Sequence, residues 1–169
     1  GLPFSGHEKE IKQRIGYSTG AVNYYPKKKI RDIVDVTRAF FDTWDEDAYE
    51  EYLSLFALDE NKMPSELSEG MRVKFNLLLA LSHKAEILIL DEPTRGIDVG
   101  AKYDIYCLIN KMVEDGKSVI MISSEMPELL GMCDRIYVMS EGRLAGEFTA
   151  EEATQERIMA SIMQEQNKK

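Results

Sequence analysis

The stretch that decides the fold runs from Ile87 to Thr94 and has the sequence ILILDEPT. Its run of consecutive apolar residues predicts a strand that is buried on both faces of a parallel sheet. Asp91 and Glu92 would follow at the carboxyl end of that strand, where ligands bind in open α/β sheets. One carboxylate can hold Mg²⁺ and the second can orient water, as nucleoside-triphosphate hydrolysis requires. Taken alone, the same pattern is also typical of a buried strand that ends in a charged turn.

Upstream, a second pattern predicts a helix whose first turn can face an anion. Leu67–Met71 has the sequence LSEGM, in which Ser68 can cap a helix that runs to about His83. A helix N-terminus offers unpaired N–H groups and partial positive charge, and Gly70 would let the backbone approach a phosphate closely. A serine before a helix is also a common cap without any ligand, so the motif gains weight from the acidic strand that follows it.

Apolar periodicity predicts the remaining elements. They are a strand at Arg14–Ser18, a helix from Lys28, a helix opened by Asp45, a helix over Val99–Asp115, a strand at Val119–Ile122, a hairpin of Arg135–Ser140 and Arg143–Phe148, and a last helix capped by Thr149. Strand, helix and strand at this spacing form a βαβ unit with parallel strands, so the predicted fold class is α/β. We predict four parts: a core fragment at 1–27, a helical subdomain at 28–83, a core at 84–150, and a C-terminal helix and tail at 151–169.

Together these segments resemble the ATP-binding cassette (ABC) family, the ATPase subunits of transporters. Leu67–Met71 resembles the signature motif of that family, Ile87–Glu92 resembles its Walker B motif, and Thr94–Asp98 resembles its D-loop. The resemblance implies a P-loop NTPase-type fold with a mostly parallel sheet and a helical subdomain. The sheet would be truncated, because the sequence contains no G-x-x-x-x-G-K-[ST] phosphate loop.

The resemblance also implies a role for each motif residue. Asp91 would be the Mg²⁺-linked carboxylate, and Glu92 would be the general base that polarises the attacking water. The signature residues would contact the γ-phosphate of a nucleotide that is held by the other subunit of a head-to-tail dimer. These residues are Ser68, Glu69, Gly70 and Met71. Asp98 would lie in the dimer interface, although a role as N-cap of the following helix is equally well supported.

Two positions depart from the pattern of the family. Gly20 occupies the place where many members have a glutamine after an Ile-Gly-Tyr strand, in a turn that corresponds to the Q-loop. Since glycine has no side chain, the usual contact with Mg²⁺ or water is in doubt there. Ser124 occupies the place of the switch histidine, and serine can donate a hydrogen bond to phosphate but carries no positive charge.

The resemblance is uneven along the chain. Lys12–Leu81 is more similar to small exporter ATPases of the ABC-2 type, whereas Ala85–Gln155 is similar to the second ATPase half of ribose- and galactose-type sugar importers. A natural mosaic and an engineered chimera joined near Ala85 both remain open. The polar, glycine-bearing start without a methionine favours an internal piece of a longer protein.

Composition narrows the classes of function. The net charge of −9 argues against non-specific nucleic-acid binding, because such binding needs Lys and Arg to displace counterions. Cys107 and Cys133 are too few for a disulfide framework or a metal site, and we expect both to be reduced and in or near the core. No apolar run approaches the roughly 20 residues of a membrane helix, so we expect no direct membrane insertion.

Two hypotheses of function follow. In the first, the chain is part of a cytoplasmic subunit that hydrolyses Mg-ATP with a second ABC ATPase subunit or half, and that attaches to the inner face of the cell membrane through transmembrane permease subunits. In the second, it is an inactive fragment or chimera that serves only as a folding or interaction module. For the chain alone, the absent phosphate loop predicts neither tight ATP binding nor turnover.

The absent phosphate loop has a structural consequence as well. In the family, the strand before that loop lies beside the strand that here is Val119–Ile122. Its absence would leave this strand with an open apolar edge and one face of the sheet bare. We expect either that Arg135–Ser140 closes onto Val119–Ile122, which the short linker favours, or that two chains pair across the gap.

Overall fold

The computed structural model describes residues 3–20 and 25–166, and the chain forms two compact units, Gly1–Ile122 and Ser123–Lys169. The first unit contains, in chain order, α1 (Glu8–Gln13), β1 (Ile15–Thr19), α2 (Ile30–Arg38), α3 (Glu46–Leu55), a 3₁₀ helix (Pro64–Glu66), α4 (Glu69–Leu81), β2 (Ile87–Asp91), α5 (Val99–Glu114) and β3 (Ser118–Ile122). The second contains α6 (Met126–Met132), β4 (Arg135–Ser140), β5 (Arg143–Thr149) and α7 (Gln155–Gln166). The part boundaries predicted at 27, 83 and 150 stay predictions.

The first unit is built on a parallel three-stranded sheet in the order β1-β2-β3. The strand that the sequence marked as buried, β2, lies in the middle, and its Leu88 and Leu90 are fully buried. The register places Thr19 and Ile122 on either side of Asp91. The predicted α/β fold with a parallel sheet is confirmed.

One face of this sheet is covered by α4. Helix α4 packs on β1, and its apolar side, which includes Val73, Leu77 and Leu81, is buried. On the opposite face, Tyr17, Ile89 and Ile120 lie side by side in the register. The outer two of these are about half exposed, at 53% each, so the expectation of a bare sheet face is confirmed.

The helical region of the first unit contains α2 and α3, which are the two helices predicted there from the sequence. Helix α3 begins after Asp45, whose side chain accepts a hydrogen bond from the Ala48 N–H. His83, after the end of α4, is buried with its ring stacked on Phe41 at a centroid distance of 3.8 Å, and its Nδ1 lies 3.1 Å from the Gln13 carbonyl oxygen. These contacts give His83 a structural role. The short helices α1 and α6 were not predicted from the sequence.

The second unit is a hairpin with a helix packed on it. Strands β4 and β5 are antiparallel, as predicted, and the turn residues Glu141 and Gly142 both have positive φ, which suits a two-residue hairpin turn. Its small core joins Ile136 and Val138 of β4 to Ile158 of α7. The prediction that Thr149 caps the last helix is wrong, because α7 begins at Gln155 and Thr149 instead bonds to Glu152.

Two further expectations need correction. Strand β4 pairs with β5 in a separate sheet, so it does not close onto β3. Cys107 lies on the exposed side of α5 rather than in the core, whereas Cys133 is half-buried, which raises the pKa of its thiol. Within residues 3–20 and 25–166, no helix has the length and apolar character that a bilayer crossing requires.

Candidate functional site

The carboxyl end of β2 carries the acidic pair that the sequence singled out. Asp91 is the last residue of the strand and is half-buried. The Tyr17 hydroxyl, which lies on the neighbouring strand β1, donates a hydrogen bond of 3.3 Å to Asp91 Oδ2. Sequence reasoning missed Tyr17, although its position two residues before Thr19 places it on the same sheet face as Asp91. The carboxylate is therefore oriented by a side chain from the adjacent strand.

Glu92 turns the chain sharply at the end of the strand. Its φ is +47°, in the left-handed region that non-glycine residues rarely adopt. Its N–H donates to the Ile122 carbonyl at 2.8 Å, and its own carbonyl accepts from the Arg95 N–H at 3.3 Å. A backbone strained in this way costs about 1–3 kcal/mol and persists where the surroundings hold it, often at functional sites. Here the hydrogen bonds on both sides hold it.

Gly20 lies against this turn and contacts its backbone. Its N–H donates to the Asp91 carbonyl at 3.1 Å, and its φ is +34°. A Cβ at this position would lie 2.9 Å from the Glu92 carbonyl oxygen, too close for any side chain without a backbone shift. This packing gives a physical reason for a glycine at position 20. The turn residues Ala21, Val22 and Asn23 lie outside the described residues.

Asn76 connects Gly20 to the helix of the signature-like motif. It is a buried residue of α4, and its Nδ2 donates a 2.7 Å hydrogen bond to the Gly20 carbonyl. Gly20 is thus held by α4 on one side and by Asp91 on the other. The sequence analysis missed Asn76, although an amide among the apolar residues of α4 was a usable signal, because buried polar groups need partners.

The N-terminus of α4 has the geometry of a helix end open to a ligand. Ser68 is exposed, and its Oγ accepts a hydrogen bond from the Met71 N–H at 3.3 Å. Glu69 forms an ion pair with Arg72 at 3.4 Å. Gly70 is buried, and a Cβ there would lie 3.1 Å from the Cβ of Ala101 in α5. The predicted cap is confirmed, and Gly70 allows α4 and α5 to approach closely.

The segment after Glu92 leads directly to this helix end. Asp98 Oδ1 accepts a hydrogen bond from the Ala101 N–H at 3.0 Å, so its role as the N-cap of α5 is confirmed. Gly96 has a φ of +76°, and a Cβ there would be 3.8 Å from Glu69 Oε2. The D-loop-like segment therefore lies against the signature-like residues. A role of Asp98 in a dimer interface stays a prediction.

The predicted residues fall into two groups rather than one. Gly20, Asp91 and Glu92 meet at the end of β2, whereas Ser68 begins α4 and lies about 12 Å along the helix axis from Asn76, the residue that contacts Gly20. Ser124 belongs to the second unit, where it is exposed between β3 and α6, and its function stays a prediction.

The acidic, histidine and cysteine side chains determine which kind of metal site the chain could form. No group of three or more His, Cys, Asp or Glu side chains could hold a metal ion in the described part of the chain. Mg²⁺ at nucleotide sites commonly uses only one or two protein carboxylates together with phosphate oxygens and water. The Asp91 carboxylate at the strand end fits that role.

Comparison with known proteins agrees with this fold. The model of the ABC transporter family matches residues 3–95, which is more than half of the chain. The chain belongs to the ABC transporter family.

Two curated relatives are sugar transport proteins. The L-arabinose transport ATP-binding protein AraG of Geobacillus stearothermophilus is 61% identical over 93 residues, which are 55% of this chain and 18% of that protein. The xylose import ATP-binding protein XylG of Moorella thermoacetica is 61% identical over 94 residues, 56% of this chain and 19% of that protein. The aligned part therefore spans about a fifth of the length of these relatives.

A solved structure shows the same fold. An ATP-binding subunit of an ABC transporter superimposes with a TM-score of 0.79 over 96% of this chain and 74% of that chain, at 17% sequence identity. At this identity the similarity concerns the fold, which is that of an ABC ATPase.

Proposed function

We propose that this chain is part of the ATP-hydrolysing subunit of an ABC importer for a sugar. It would supply the Walker B, D-loop and signature portions of that subunit. The names of the relatives AraG and XylG support a sugar as the transported class. The subunit would be cytoplasmic and would work with a second ATPase subunit or half and with transmembrane permease subunits at the membrane.

In this function each group of residues has its own task. Asp91 would hold Mg²⁺, which neutralises charge on the β- and γ-phosphates when it is bound. Glu92 would accept a proton from the attacking water, since it follows Asp91 on a backbone fixed by hydrogen bonds. The N–H groups at the start of α4, with Ser68, would bind the γ-phosphate of a nucleotide held by the partner subunit. Ser124 would donate a hydrogen bond to phosphate in place of the switch histidine.

The observation that carries the proposal is the separation of the two groups of residues. The acidic strand end contacts α4 through Asn76, about 12 Å along the helix from its open end at Ser68, and each group suits a different part of a nucleotide site. Two subunits in a head-to-tail arrangement would bring the acidic group of one against the helix end of the other. This fits a site completed between subunits.

The test uses a hybrid subunit in which the phosphate-loop segment of an ABC ATPase precedes this chain. We expect the hybrid to hydrolyse Mg-ATP. Glu92→Gln should lower kcat by about 10²- to 10⁴-fold with the Kd for Mg-ATP unchanged, because the amide keeps the shape but cannot accept a proton. Glu86→Gln is the matched control, since Glu86 is exposed before the opposite end of β2. Wild-type turnover in Glu92→Gln would remove Glu92 from the role of base.

The signature residues are tested in the same hybrid. Ser68→Arg should abolish turnover by blocking closure of the partner over the phosphate, while each subunit still binds Mg-ATP. Ser65→Arg adds the same charge at an exposed position of the preceding 3₁₀ helix and should have no effect. Equal turnover in both variants would mean that the α4 end does not contact the nucleotide.

A second candidate function is supported by one specific observation. The sequence contains signature, Walker B and D-loop motifs but no phosphate-loop motif, and its two parts resemble different branches of the family. As given, the chain would then be a mosaic or chimera that acts as a folding or interaction module. For the 169-residue chain we expect isothermal titration with Mg-ATP to show no low-micromolar binding. A low-micromolar Kd would reject this candidate.

A further inference from the structure

Four lysines come together where the turn before α2 meets the loop before the 3₁₀ helix. Lys27, Lys28 and Lys29 are consecutive and directly precede α2. The Ile30 N–H donates to the Lys62 carbonyl at 2.9 Å, so the fold brings Lys62, which is distant in sequence, beside Lys29. These four lysines form the lysine patch.

Backbone hydrogen bonds fix both segments of the lysine patch. Within the turn, the Lys28 N–H donates to the Tyr25 carbonyl at 2.9 Å. A second bond between the two segments runs from the Arg31 N–H to the Glu60 carbonyl at 3.1 Å. The four ammonium groups are therefore carried by a defined backbone, which keeps them close together.

The ammonium groups of the lysine patch are not used inside the fold. In the part of the chain that the structure describes, none of the four forms an ion pair or a hydrogen bond. The nearby carboxylates already have partners, since Asp32 Oδ2 accepts from the Lys29 N–H at 3.3 Å and Asp59 Oδ1 accepts from the Asn61 N–H at 2.9 Å. The positive charge is thus available to a partner outside the chain.

The local charge is opposite in sign to that of the whole chain. Residues 27–32 and 59–62 contain five lysine and arginine residues and three acidic residues, whereas the chain has a net charge of −9. A negatively charged surface would repel most of the protein and attract it at the lysine patch, so the charge distribution also selects one orientation of approach.

An exposed aromatic ring at the border of the lysine patch indicates the kind of partner. Tyr25 is 67% exposed. Tyrosine has an apolar body and a polar tip, and it is enriched where proteins meet lipid headgroups. The negative charge of the whole chain disfavours a nucleic acid. The combination fits an anionic lipid surface.

We propose that the lysine patch, with Tyr25 at its border, binds the anionic phospholipid headgroups of a membrane. The proposed function attaches the subunit through permease subunits, and this surface adds a direct contact with lipid at the same membrane, so only its placement there rests on the proposed function. Each lysine near an anionic leaflet raises the partition coefficient by about fivefold. The contact is therefore weak, reversible and sensitive to salt.

Co-sedimentation of the unmodified chain with vesicles tests the proposal first. We expect binding to vesicles that mix phosphatidylglycerol with phosphatidylcholine and none to phosphatidylcholine alone. Raising the salt concentration from about 0.1 M to about 1 M should remove most of this binding, because the Debye length falls from about 10 Å to about 3 Å. The assay contains no nucleotide and no partner subunit, so its result is independent of the proposed ATPase function. Equal binding to both kinds of vesicle, or binding to neither, would overturn the proposal.

Paired substitutions separate the lysine patch from the overall charge. Lys27→Gln with Lys28→Gln should lower the partition coefficient by about 25-fold, at about fivefold for each lysine. Lys12→Gln with Lys111→Gln is the matched control, because both lysines are exposed and lie outside the patch. The control should change the coefficient by less than about twofold, since charges beyond a Debye length are screened. An equal loss in both pairs would reject the patch.

Lys62 tests the part of the surface that the fold assembles. Lys62→Gln should lower the partition coefficient by about fivefold, as Lys27→Gln does, although the two lysines are far apart in sequence. Tyr25→Ser should also lower it, whereas Tyr25→Phe, which keeps the ring, should lower it less. A loss in Lys27→Gln without any loss in Lys62→Gln would overturn the assigned surface.

Competition identifies the anion that the lysine patch takes. At constant ionic strength, replacement of chloride by inorganic phosphate should leave vesicle binding unchanged, because the surface contacts several headgroups at once. Single-stranded RNA at the same ionic strength should not displace the vesicles. Displacement by phosphate would show a site for a free phosphate, displacement by RNA would show a nucleic-acid site, and either result would overturn the proposal.

Discussion

Strands β1 and β3 lie on either side of β2 in the same parallel sheet, but their surroundings differ. Strand β1 is fixed along its length: Gly16 lies against α4, Tyr17 bonds to Asp91, and the turn at Gly20 is held by Asn76. Strand β3 has contacts with β2 and α5, while Ile120 and Ile122 remain half exposed. The comparison indicates that side chains and the turn on the β1 side hold the candidate site, whereas β3 contributes the Ile122 carbonyl and leaves its outward side chains half exposed.

The largest effect should come from filling the contact between β1 and α4. A Cβ at Gly16 would collide with the carbonyl oxygen of Ala80 and would lie 2.7 Å from Leu88 Cδ2. Because a helix backbone cannot move aside cheaply, we expect Gly16→Ala to lower the free energy of unfolding by about 3 kcal/mol. Urea unfolding followed by the fluorescence of Trp44, the only tryptophan of the chain, measures this change.

Gly131→Ala is the matched control for this prediction. Gly131 lies in α6, and a Cβ there would meet nothing within 4 Å. Alanine is the better helix former, so stability should be unchanged or higher by up to about 1 kcal/mol, as followed by circular dichroism. If Gly16→Ala were equally harmless, the close packing of β1 on α4 would be wrong.

The next effect concerns the hydrogen bond that anchors the turn over Glu92. Asn76→Ala removes the donor to the Gly20 carbonyl and leaves a buried acceptor without its partner. We expect a loss of about 1–3 kcal/mol in the free energy of unfolding and faster hydrogen exchange of the Gly20 amide. The exposed Asn110, on α5, supplies the control, because Asn110→Ala should change stability by no more than about 0.5 kcal/mol. Unchanged exchange at Gly20 would contradict the proposed anchor.

The sequence was sufficient to predict the elements that have strong apolar patterns. Strand β2, the cap of α4 at Ser68 and helix α5 appear within one or two residues of the predicted positions, because burial and capping act locally there. Helices α1 and α6 are only six and seven residues long, too short to show a period. The cap at Thr149 was wrong because Thr154, five residues later, caps α7 instead, with its Oγ accepting a hydrogen bond from the Arg157 N–H at 3.3 Å.

The sequence predicted which residues form the candidate site, but it did not predict the contacts between them. The position of Asp91 and Glu92 follows from the strand that carries them. The positive φ of Glu92, the tight fit of Gly20 and the bond from Asn76 depend on contacts between residues that are far apart in sequence. No local pattern encodes such contacts.

A smaller effect concerns how the free energy of unfolding depends on pH through His83, which contacts Gln13 just before β1. Burial, opposed by the hydrogen bond to Gln13 and assisted by the charge of Lys117, lowers the pKa of His83 below its usual value. The unfolded chain therefore takes up this proton at a higher pH than the folded chain. The contribution of His83 to stability is fully present above about pH 6.5 and is lost as the pH falls toward the lower folded pKa.

The expected pH dependence can be separated from other titrations. Stability should fall between pH 6.5 and 5 with a slope of at most about 1.4 kcal/mol per pH unit. His83→Phe, which keeps a ring to stack on Phe41, should flatten this slope, whereas replacement of the other histidine, His7, by Gln should not. An unchanged slope in His83→Phe would assign the pH dependence to other groups.

The smallest effect is expected on the open side of the sheet. Ile105 in α5 is fully buried and Ile120 in β3 is half exposed, so the same substitution tests the two environments. Ile105→Val should cost about 1 kcal/mol, because it removes a methylene from a packed core. Ile120→Val should cost less than about 0.5 kcal/mol in the free energy of unfolding, as measured by urea unfolding of both variants. Equal costs would mean that Ile120 is packed as tightly as Ile105, and the contrast between β1 and β3 would then be lost.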